Sequence, residues 1–275
     1  MRQPSSQAQN SALEEARAGF PARGGGARAI AARAALVRNL WDTNGLRRVP
    51  SEAALDRALT ALPQGELAWL CELSPLGPVY LIPTPPFLRA LARKIRALGA
   101  KRVLEVAAGD GHLSRALARV APDLEIVASD SGAWEDPHGR MSASERREHR
   151  GVELGGIPLG LEVRRLEATR ATRKLKPDLV LASWLAPGPL LAKLIRADVK
   201  HVLEIGAGSG VTGDVLCWRF AHQFCEGPLE GRARCRLDER PARALHTRVT
   251  HYFGRAHPEF FEERLGRDHW LRRIV

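Results

Sequence analysis

The sequence has little cysteine and no long apolar run. Its four cysteines, at positions 71, 217, 225 and 235, include no C-x-x-C pair, so neither a zinc site nor a disulfide framework is indicated. No stretch of about 20 apolar residues is available to span a bilayer. The first thirty residues also lack the apolar run of a secretory signal peptide. We therefore expect a cytoplasmic protein with reduced thiols and no bound metal.

Lysine is scarce, although the chain is basic. Six lysines stand beside 36 arginines, and the formal net charge is +11. The excess of basic over acidic side chains is +6 in residues 1–100, +3 in 101–200 and +2 in 201–275. A groove for nucleic acid concentrates its positive charge. The spread seen here favours a solvated basic surface, and a nucleic-acid partner stays the second choice.

The N-terminal third differs in composition from the rest of the chain. Residues 1–28 are rich in Gly, Ser, Gln and Arg, which predicts a disordered tail. An Arg-rich transit peptide is the alternative, weakened by Glu14 and Glu15. Residues 29–86 then show helical spacing, with Ser51 placed as an N-cap, and end in a proline-rich linker. We expect these residues to form a helical extension to a domain over 87–275.

Strands and helices alternate from residue 101 onward. Apolar runs predict strands over 102–107, 125–130, 161–168, 177–185, 201–206 and 245–253, with a last one near the C-terminus. Helical spacing marks 87–100, 112–122, 189–198 and 258–266. This alternation predicts an α/β fold with a doubly wound, mostly parallel sheet.

Two glycine-rich segments follow similar strands, VLEVAAGDG at 103–111 and VLEIGAGSG at 202–210. The later one continues as GSGVTG and fits the dinucleotide pattern, but no strand ending in a carboxylate follows it. The earlier one has Ala107 at the first glycine position. A helix and then a strand ending in Asp130, 19 residues after Gly111, follow it. The earlier segment is therefore predicted to bind the ligand, and the later one to be the fifth strand with its turn.

Four ordered motifs carry a resemblance to a known family. VLEVAAGDG, Asp130, the LEA at 166–168 and PDLVLASW at 177–184 resemble the motifs of class I S-adenosylmethionine-dependent methyltransferases, over about residues 87–215. The resemblance implies the Rossmann-like fold of that family and S-adenosylmethionine as cofactor. It also implies that Asp130 binds the ribose and Glu167 the adenine amine. The other implied contacts are Glu105, Ala107, Gly109 and Gly111 beside the amino-acid part, and Ser183 and Trp184 facing the methyl group.

Each of these residues also has a purely structural interpretation. Asp130 could cap a turn, Glu167 could lie on a solvated face, and Trp184 could pack in the core. Glu105 is harder to explain without a ligand, because an unpaired buried charge is costly. The methyl group of Ala107 is tolerable if the backbone there has a negative φ, but it could narrow the pocket enough to weaken cofactor binding.

The acceptor substrate stays open. The residues after the fourth predicted strand are SWLAPGPL, which lacks the Asn/Asp-Pro-Pro-aromatic set of amine methylation. The same segment contains no cysteine and no pair of carboxylates. We assign no catalytic residue and place a small molecule slightly ahead of RNA as acceptor. Two alternatives remain: an NAD(P)-dependent oxidoreductase using Gly208–Gly213, and a non-catalytic module that binds a partner through the N-terminal helices. The sequence leaves the oligomeric state open.

Overall fold

The structure, a computed structural model, describes residues 6–63, 65–67, 69, 76–136, 147, 156–207, 212–225 and 248–263. The chain divides into two compact units. The first comprises Met1–Pro85 and Ala133–Pro158, and the second comprises Pro86–Gly132 and Leu159–Val275. The division at Pro85 falls one residue before the boundary expected at residue 86. Residues 133–158, which the sequence placed in the second domain, group with the first unit.

The first unit contains three helices with described bounds: α1 (Ser6–Arg17), α2 (Ala27–Leu40) and α3 (Glu52–Ala61). Ser51 caps α3, as predicted, since its side chain accepts a hydrogen bond from the amide of Ala54. Leu36, Val37 and Leu55 belong to the apolar cluster of this unit.

The tail expected over residues 1–28 is largely structured. It forms α1 and a short 3-10 helix (Pro21–Arg23), and Leu13, Ala16 and Phe20 are buried in the same apolar cluster. The guanidinium of Arg33 is buried and donates to the carbonyls of Gly19, Phe20 and Gly24. The polar composition concealed these few apolar contacts, whose burial favours an ordered segment.

The second unit is built on a sheet whose seven strands are β1 (Arg102–Val106), β2 (Glu125–Asp130), β3 (Arg164–Arg165), β4 (Leu179–Ser183), β5 (His201–Gly206), β6 (His222–Phe224) and β7 (Arg248–Phe253). Their order is β3-β2-β1-β4-β5-β7-β6. Strands β1 to β5 run parallel, and β7 lies antiparallel to both β5 and β6. The predicted doubly wound, mostly parallel sheet is thereby confirmed.

Four helices with described bounds accompany this sheet: α4 (Pro85–Ala97), α5 (His112–Val120), α6 (Ala168–Leu175) and α7 (Leu190–Ile195). Helix α6 was missed by the sequence analysis, because only the small side chains of Ala168, Ala171 and Thr172 are buried on it. The strand predicted over 161–168 shrinks to the two residues of β3.

The C-terminal predictions fare differently from one another. Strand β7 confirms the strand expected over 245–253. No helix forms over residues 258–263, the described part of the segment predicted to be helical; Glu262 there makes a β-bridge with Phe220. The last predicted strand lies outside the described residues. None of the described helices is long and apolar enough to cross a membrane.

The core of the sheet is apolar on its central strands, where Leu104, Val180 and Val202 are buried. Along the chain, β1 is followed by its neighbour β2, whereas β4 lies on the other side of β1. The strand order therefore reverses between β1 and β4. In an open α/β sheet a ligand binds at the carboxyl ends of the strands at such a reversal.

Candidate functional site

The first glycine-rich segment connects the carboxyl end of β1 to α5. Glu105 is buried on β1, and its Oε2 accepts hydrogen bonds from the amide nitrogen (2.8 Å) and the hydroxyl of Ser114. Since Ser114 lies in the first turn of α5, this pair holds the two ends of the loop together. Sequence analysis missed Ser114, although its position nine residues after the acidic residue was visible.

The backbone of this loop is largely satisfied by the protein itself. Four loop amides donate hydrogen bonds of 2.9–3.1 Å, those of Ala108, Gly109, Gly111 and His112. Their acceptors are the carbonyls of Ser129 and Ala108 and the carboxylates of Asp130 and Asp110. A phosphate-binding loop instead presents such N–H groups to its ligand.

Ala107 occupies a left-handed backbone conformation, with φ +51°. The condition under which its methyl group would be tolerated, a negative φ, is therefore not met. Left-handed φ is the region that glycine enters without steric cost and alanine does not. The side chain is exposed. Alanine in place of the usual glycine therefore strains the backbone, and its methyl group fills no buried space.

Asp130 lies at the carboxyl end of β2 and is 8% exposed. Its Oδ2 accepts a hydrogen bond from the amide of Gly109 (2.9 Å), and its Oδ1 accepts one from the amide of Gly132 (2.7 Å). The carboxylate therefore shapes the glycine loop, as well as lying at the position implied for ribose binding. Each oxygen keeps a second lone pair, so contact with a ribose hydroxyl stays open to it.

Three carboxylates gather around the loop, on Glu105, Asp110 and Asp130. The pKa of Glu105 is raised to about 7, chiefly by burial and in smaller part by the negative charges of Asp110 and Asp130, against the hydrogen bonds from Ser114 that lower it. These carboxylates outnumber the guanidinium of Arg115, which donates to the carbonyl of Asp110 at 3.3 Å, so the loop environment is acidic in a chain whose net charge is +11. Such a site attracts a positively charged ligand and repels phosphate.

Glu167 acts as the N-cap of α6. Its carboxylate accepts hydrogen bonds from the amides of Thr169 and Arg170 at 3.0 Å each and from the Thr169 hydroxyl. Burial raises its pKa, but these hydrogen bonds outweigh that effect and the pKa is lowered overall. The implied contact with the adenine amine stays a prediction, whereas the capping role is present in the structure.

A turn before β3 packs closely on the glycine loop. A side chain at Gly160 would place its Cβ 2.3 Å from the carbonyl oxygen of Asp110, and one at Gly111 would come within 2.6 Å of Val163. Both glycines are therefore required by close approach. Sequence analysis did not single out Gly160, because an isolated Pro-Leu-Gly turn carries no motif.

Ser183 and Trp184 stand at the carboxyl end of β4, next to β1 in the sheet. Both are half-buried. Trp184 has a left-handed φ of +52°, and its amide donates to the carbonyl of Ile205 on β5 at 2.8 Å. Strained non-glycine backbone of this kind concentrates at functional sites. The structure places the two residues at the switch point, as the sequence interpretation requires.

The second glycine-rich segment follows β5, which confirms the predicted fifth strand. Glu204 is buried there, burial raises its pKa to about 7, and it accepts a hydrogen bond from the hydroxyl of Thr212 at 3.0 Å. Residues 208–211, which include Gly208 and Gly210, lie outside the described residues. In the described residues 212–225 a five-residue 3-10 helix (Val215–Arg219) follows and no α-helix begins, whereas a dinucleotide site requires a helix directly after the loop.

Solved structures offer a distant comparison. The methyltransferase domain of bacterial CtHen1 aligns with a TM-score of 0.37 and 10% identity, over 61% of this chain and 97% of that one. An S-adenosylmethionine-dependent O-methyltransferase from Thermotoga maritima gives 0.35 and 13%, over 66% and 67%. TomG, an O-methyltransferase from Streptomyces achromogenes solved with S-adenosylmethionine, gives 0.32 and 17%, over 62% and 80%. No protein-family model and no curated protein sequence matches the chain.

The fold assignment stands on the sheet itself. The strand order and the single direction of β1 to β5 give the chain the Rossmann-like fold of class I methyltransferases that the motif resemblance implied. The candidate site is the carboxyl edge of this sheet, at the ends of β1, β2 and β4.

Proposed function

We propose that the protein is an S-adenosylmethionine-dependent methyltransferase that uses the loop after β1. The observation that carries this proposal is the chemistry of that loop, namely amides already bonded within the protein and carboxylates around them. S-adenosylmethionine has a cationic sulfonium and a cationic amino group and no phosphate. The acidic loop suits that ligand.

The same chemistry disfavours a nicotinamide dinucleotide. A pyrophosphate needs N–H groups at a helix N-terminus, and the amides of Gly109, Gly111 and His112 are already bonded to protein oxygens. The carboxylates of Asp110 and Asp130 accept two of these bonds, and they would repel the phosphates.

The proposed contacts follow the strand ends. Asp130 would accept hydrogen bonds from the ribose hydroxyls, while Glu105, Ala107, Gly109 and Gly111 would surround the amino-acid part of the cofactor. Glu167 would reach the adenine amine. This assignment has the least support of the set, because the Glu167 carboxylate already caps α6. These assignments are supported by the position of each residue at the carboxyl edge of the sheet.

Methyl transfer asks mainly for alignment. The bound cofactor supplies an electrophilic methyl group on sulfur. The chain's own task is to hold the acceptor in line with that group and to exclude water. Ser183 and Trp184, at the end of β4, are positioned to do so, and we name no general base.

A small molecule is the favoured acceptor, ahead of RNA. The basic excess is smallest in the part of the chain that forms the sheet, and the loop itself is acidic. RNA binding would require several phosphate contacts and would weaken steeply with salt. Salt-sensitive, tight binding of RNA by the full chain would reverse this preference.

Ligand-dependent thermal unfolding tests the proposal. S-adenosylhomocysteine should raise the melting temperature, because a ligand that binds only the folded state stabilises it, and NAD should leave it unchanged. Stabilisation by NAD without any by S-adenosylhomocysteine would contradict the proposal.

Asp130→Asn gives a sharper test. Losing the charge that receives the ribose hydroxyls should weaken S-adenosylhomocysteine binding at least about tenfold in calorimetry, because a hydrogen bond to a charged group is worth about 1.5–3 kcal/mol. The matched control is Asp123→Asn, which removes an exposed carboxylate paired with Arg96 in the same unit. That control should bind as the unmodified protein does. Equal affinity in both variants would remove Asp130 from the site.

A further inference from the structure

The two glycine-rich segments share a hydrogen-bonding device. Glu105 on β1 accepts from Ser114, and Glu204 on β5 accepts from Thr212. In each case a buried carboxyl at a strand end binds a hydroxyl eight or nine residues later. The first device closes the proposed cofactor loop. The second joins β5 to the turn at residues 212–214, and no α-helix begins within the described residues 212–225, so its role has to be sought in what that turn contacts.

Thr212 makes the closing contacts of this turn. Its hydroxyl donates to Oε1 of Glu204 at 3.0 Å and accepts from the amide of Ala207 at 3.1 Å. The fit is close, since a Cβ on Gly206 would lie 2.2 Å from the Thr212 hydroxyl oxygen. The end of the turn is therefore set by one buried hydroxyl.

The next residue, Gly213, connects this turn to the segment after β4. Its amide donates to the carbonyl of Leu185, and its carbonyl accepts from the amide of Gly188, both at 3.1 Å. Gly213 has a φ of +60°, and a Cβ there would meet Leu191 at 2.9 Å. A larger residue would be strained at this φ and would press on the side chain of Leu191.

Trp184 lies at the start of the bonded segment. Its own amide donates to the carbonyl of Ile205, immediately before Gly206 on β5. Residues 184–188 are thus bonded to β5 and its turn at three points. Those contacts hold the left-handed conformation of Trp184, which costs free energy unless surrounding structure enforces it.

We propose that Thr212 is a positioning residue: through Gly213 the turn after β5 sets the conformation of residues 184–188 and so orients Trp184 toward the bound ligand. The proposal rests on the proposed function for its ligand, but its structural part concerns only contacts within the chain. It also gives the contacts of Gly206, Thr212 and Gly213 a task beside the first glycine-rich segment.

The experiment compares three variants. Thr212→Val removes the hydroxyl at nearly constant volume, and Thr212→Ser restores it. Thr172→Val is the control, because Thr172 is equally buried in the same unit but donates only to the carbonyl of Ala168. The signal of Trp184 is isolated by subtracting the fluorescence of the matching Trp184→Phe protein, and its exposure is measured by acrylamide quenching without ligand.

Thr212→Val should raise the quenching constant of Trp184 at least about twofold and weaken S-adenosylhomocysteine binding at least about fivefold. Thr212→Ser and Thr172→Val should match the unmodified protein in both measurements. Unchanged quenching in Thr212→Val would overturn the proposal, and so would loosened Trp184 with unchanged affinity. If the unmodified protein binds no S-adenosylhomocysteine, the methyltransferase proposal fails, while the quenching result still decides the positioning role.

If Thr212→Val does not fold, hydrogen exchange in the unmodified protein provides the test instead. The amides of Gly188 and Gly213 bond across the same contact, so they should exchange through one opening reaction with equal free energies. Rapid exchange of Gly188 beside a protected Gly213 would overturn the proposal.

Discussion

Left-handed backbone marks both sides of the candidate site at the scale of single residues. Gly109 and Gly111 adopt it in the loop after β1, where glycine has no steric cost, and Ala107 and Trp184 adopt it with a side chain. The conformation of Trp184 is held by the hydrogen bond from its amide to Ile205 on β5 and by the bonds between the residues that follow it and Gly213. Ala107 is exposed, and the bonds that fix the loop to β2 are made by the amides of Ala108 and Gly109. The strain at Ala107 should therefore be removable by substitution.

Ala107→Gly should therefore stabilise the protein. Left-handed alanine costs about 1–2 kcal/mol, of which about 0.4–1 kcal/mol is returned as added entropy of the unfolded chain with glycine. We expect a net gain of about 0.5–1 kcal/mol in the free energy of unfolding, measured in urea. Ala108→Gly is the control, since Ala108 has no positive φ, and it should lose stability by about 0.4–1 kcal/mol. A loss in both variants would show that Ala107 is unstrained.

At the scale of elements, Glu167 joins two roles that mutation can separate. It caps α6 through the amides of Thr169 and Arg170, and by resemblance it contacts adenine. Glu167→Ala should lower the free energy of unfolding by about 1 kcal/mol, the usual effect of losing an N-cap. Glu167→Ser keeps a capping oxygen, so it should retain most of that stability.

Ligand affinity distinguishes the two roles. If Glu167 also binds adenine, both variants should lose affinity for S-adenosylhomocysteine, because serine is too short to reach the ligand. Full affinity in Glu167→Ser, measured by calorimetry, would reduce Glu167 to a helix cap. Weakened binding together with unchanged stability would establish the adenine contact.

At the scale of the whole molecule, a chain of hydrogen bonds crosses the edge of the sheet away from the site. Gln223 lies 2.8 Å from Nδ1 of His251, and Nε2 of His251 lies 3.1 Å from Nδ1 of His201. A backbone hydrogen bond links His201 to Leu98. Donors and acceptors alternate correctly only if both imidazoles are neutral. The chain thus connects β6, β7 and β5 to the end of α4.

Acid should weaken the protein through these histidines. The pKa of His251 is lowered to about 3, mainly by burial and further by the nearby side chains of His201, Lys94 and His257. Its stabilising contribution is complete above the unfolded pKa of about 6.5 and is lost as the pH falls toward 3. Between pH 6.5 and 5 the loss is about 1–2 kcal/mol.

Comparison with His251→Gln isolates this dependence, because the raised pKa values of Glu105 and Glu204 give the opposite slope in both proteins. The stability difference between the unmodified protein and the variant, from urea unfolding at pH 5 to 8, should shrink as the pH falls. A difference independent of pH would show that His251 is not the titrating group.

The sequence by itself determined where strands β1, β2, β4, β5 and β7 lie along the chain, since each is an apolar run with local boundaries. It also placed Glu105, Asp130 and Trp184 at strand ends, because a strand's end is marked by the first residue that breaks the run. Sequence composition misled where few or small apolar side chains carry the packing, as in α1 and α6, and it also predicted a helix over 258–266 that does not form in its described part, residues 258–263.

Only the tertiary structure decided which residues, distant along the chain, form hydrogen bonds with one another. The bonds of Asp130 to Gly109, of Gly213 to Leu185 and of His251 to His201 join positions 21 to 50 residues apart. No local pattern encodes such pairs, because they exist only once the strands lie side by side in register. The left-handed φ of Ala107 belongs here as well, since alanine has no sequence preference for it and the folded loop imposes it.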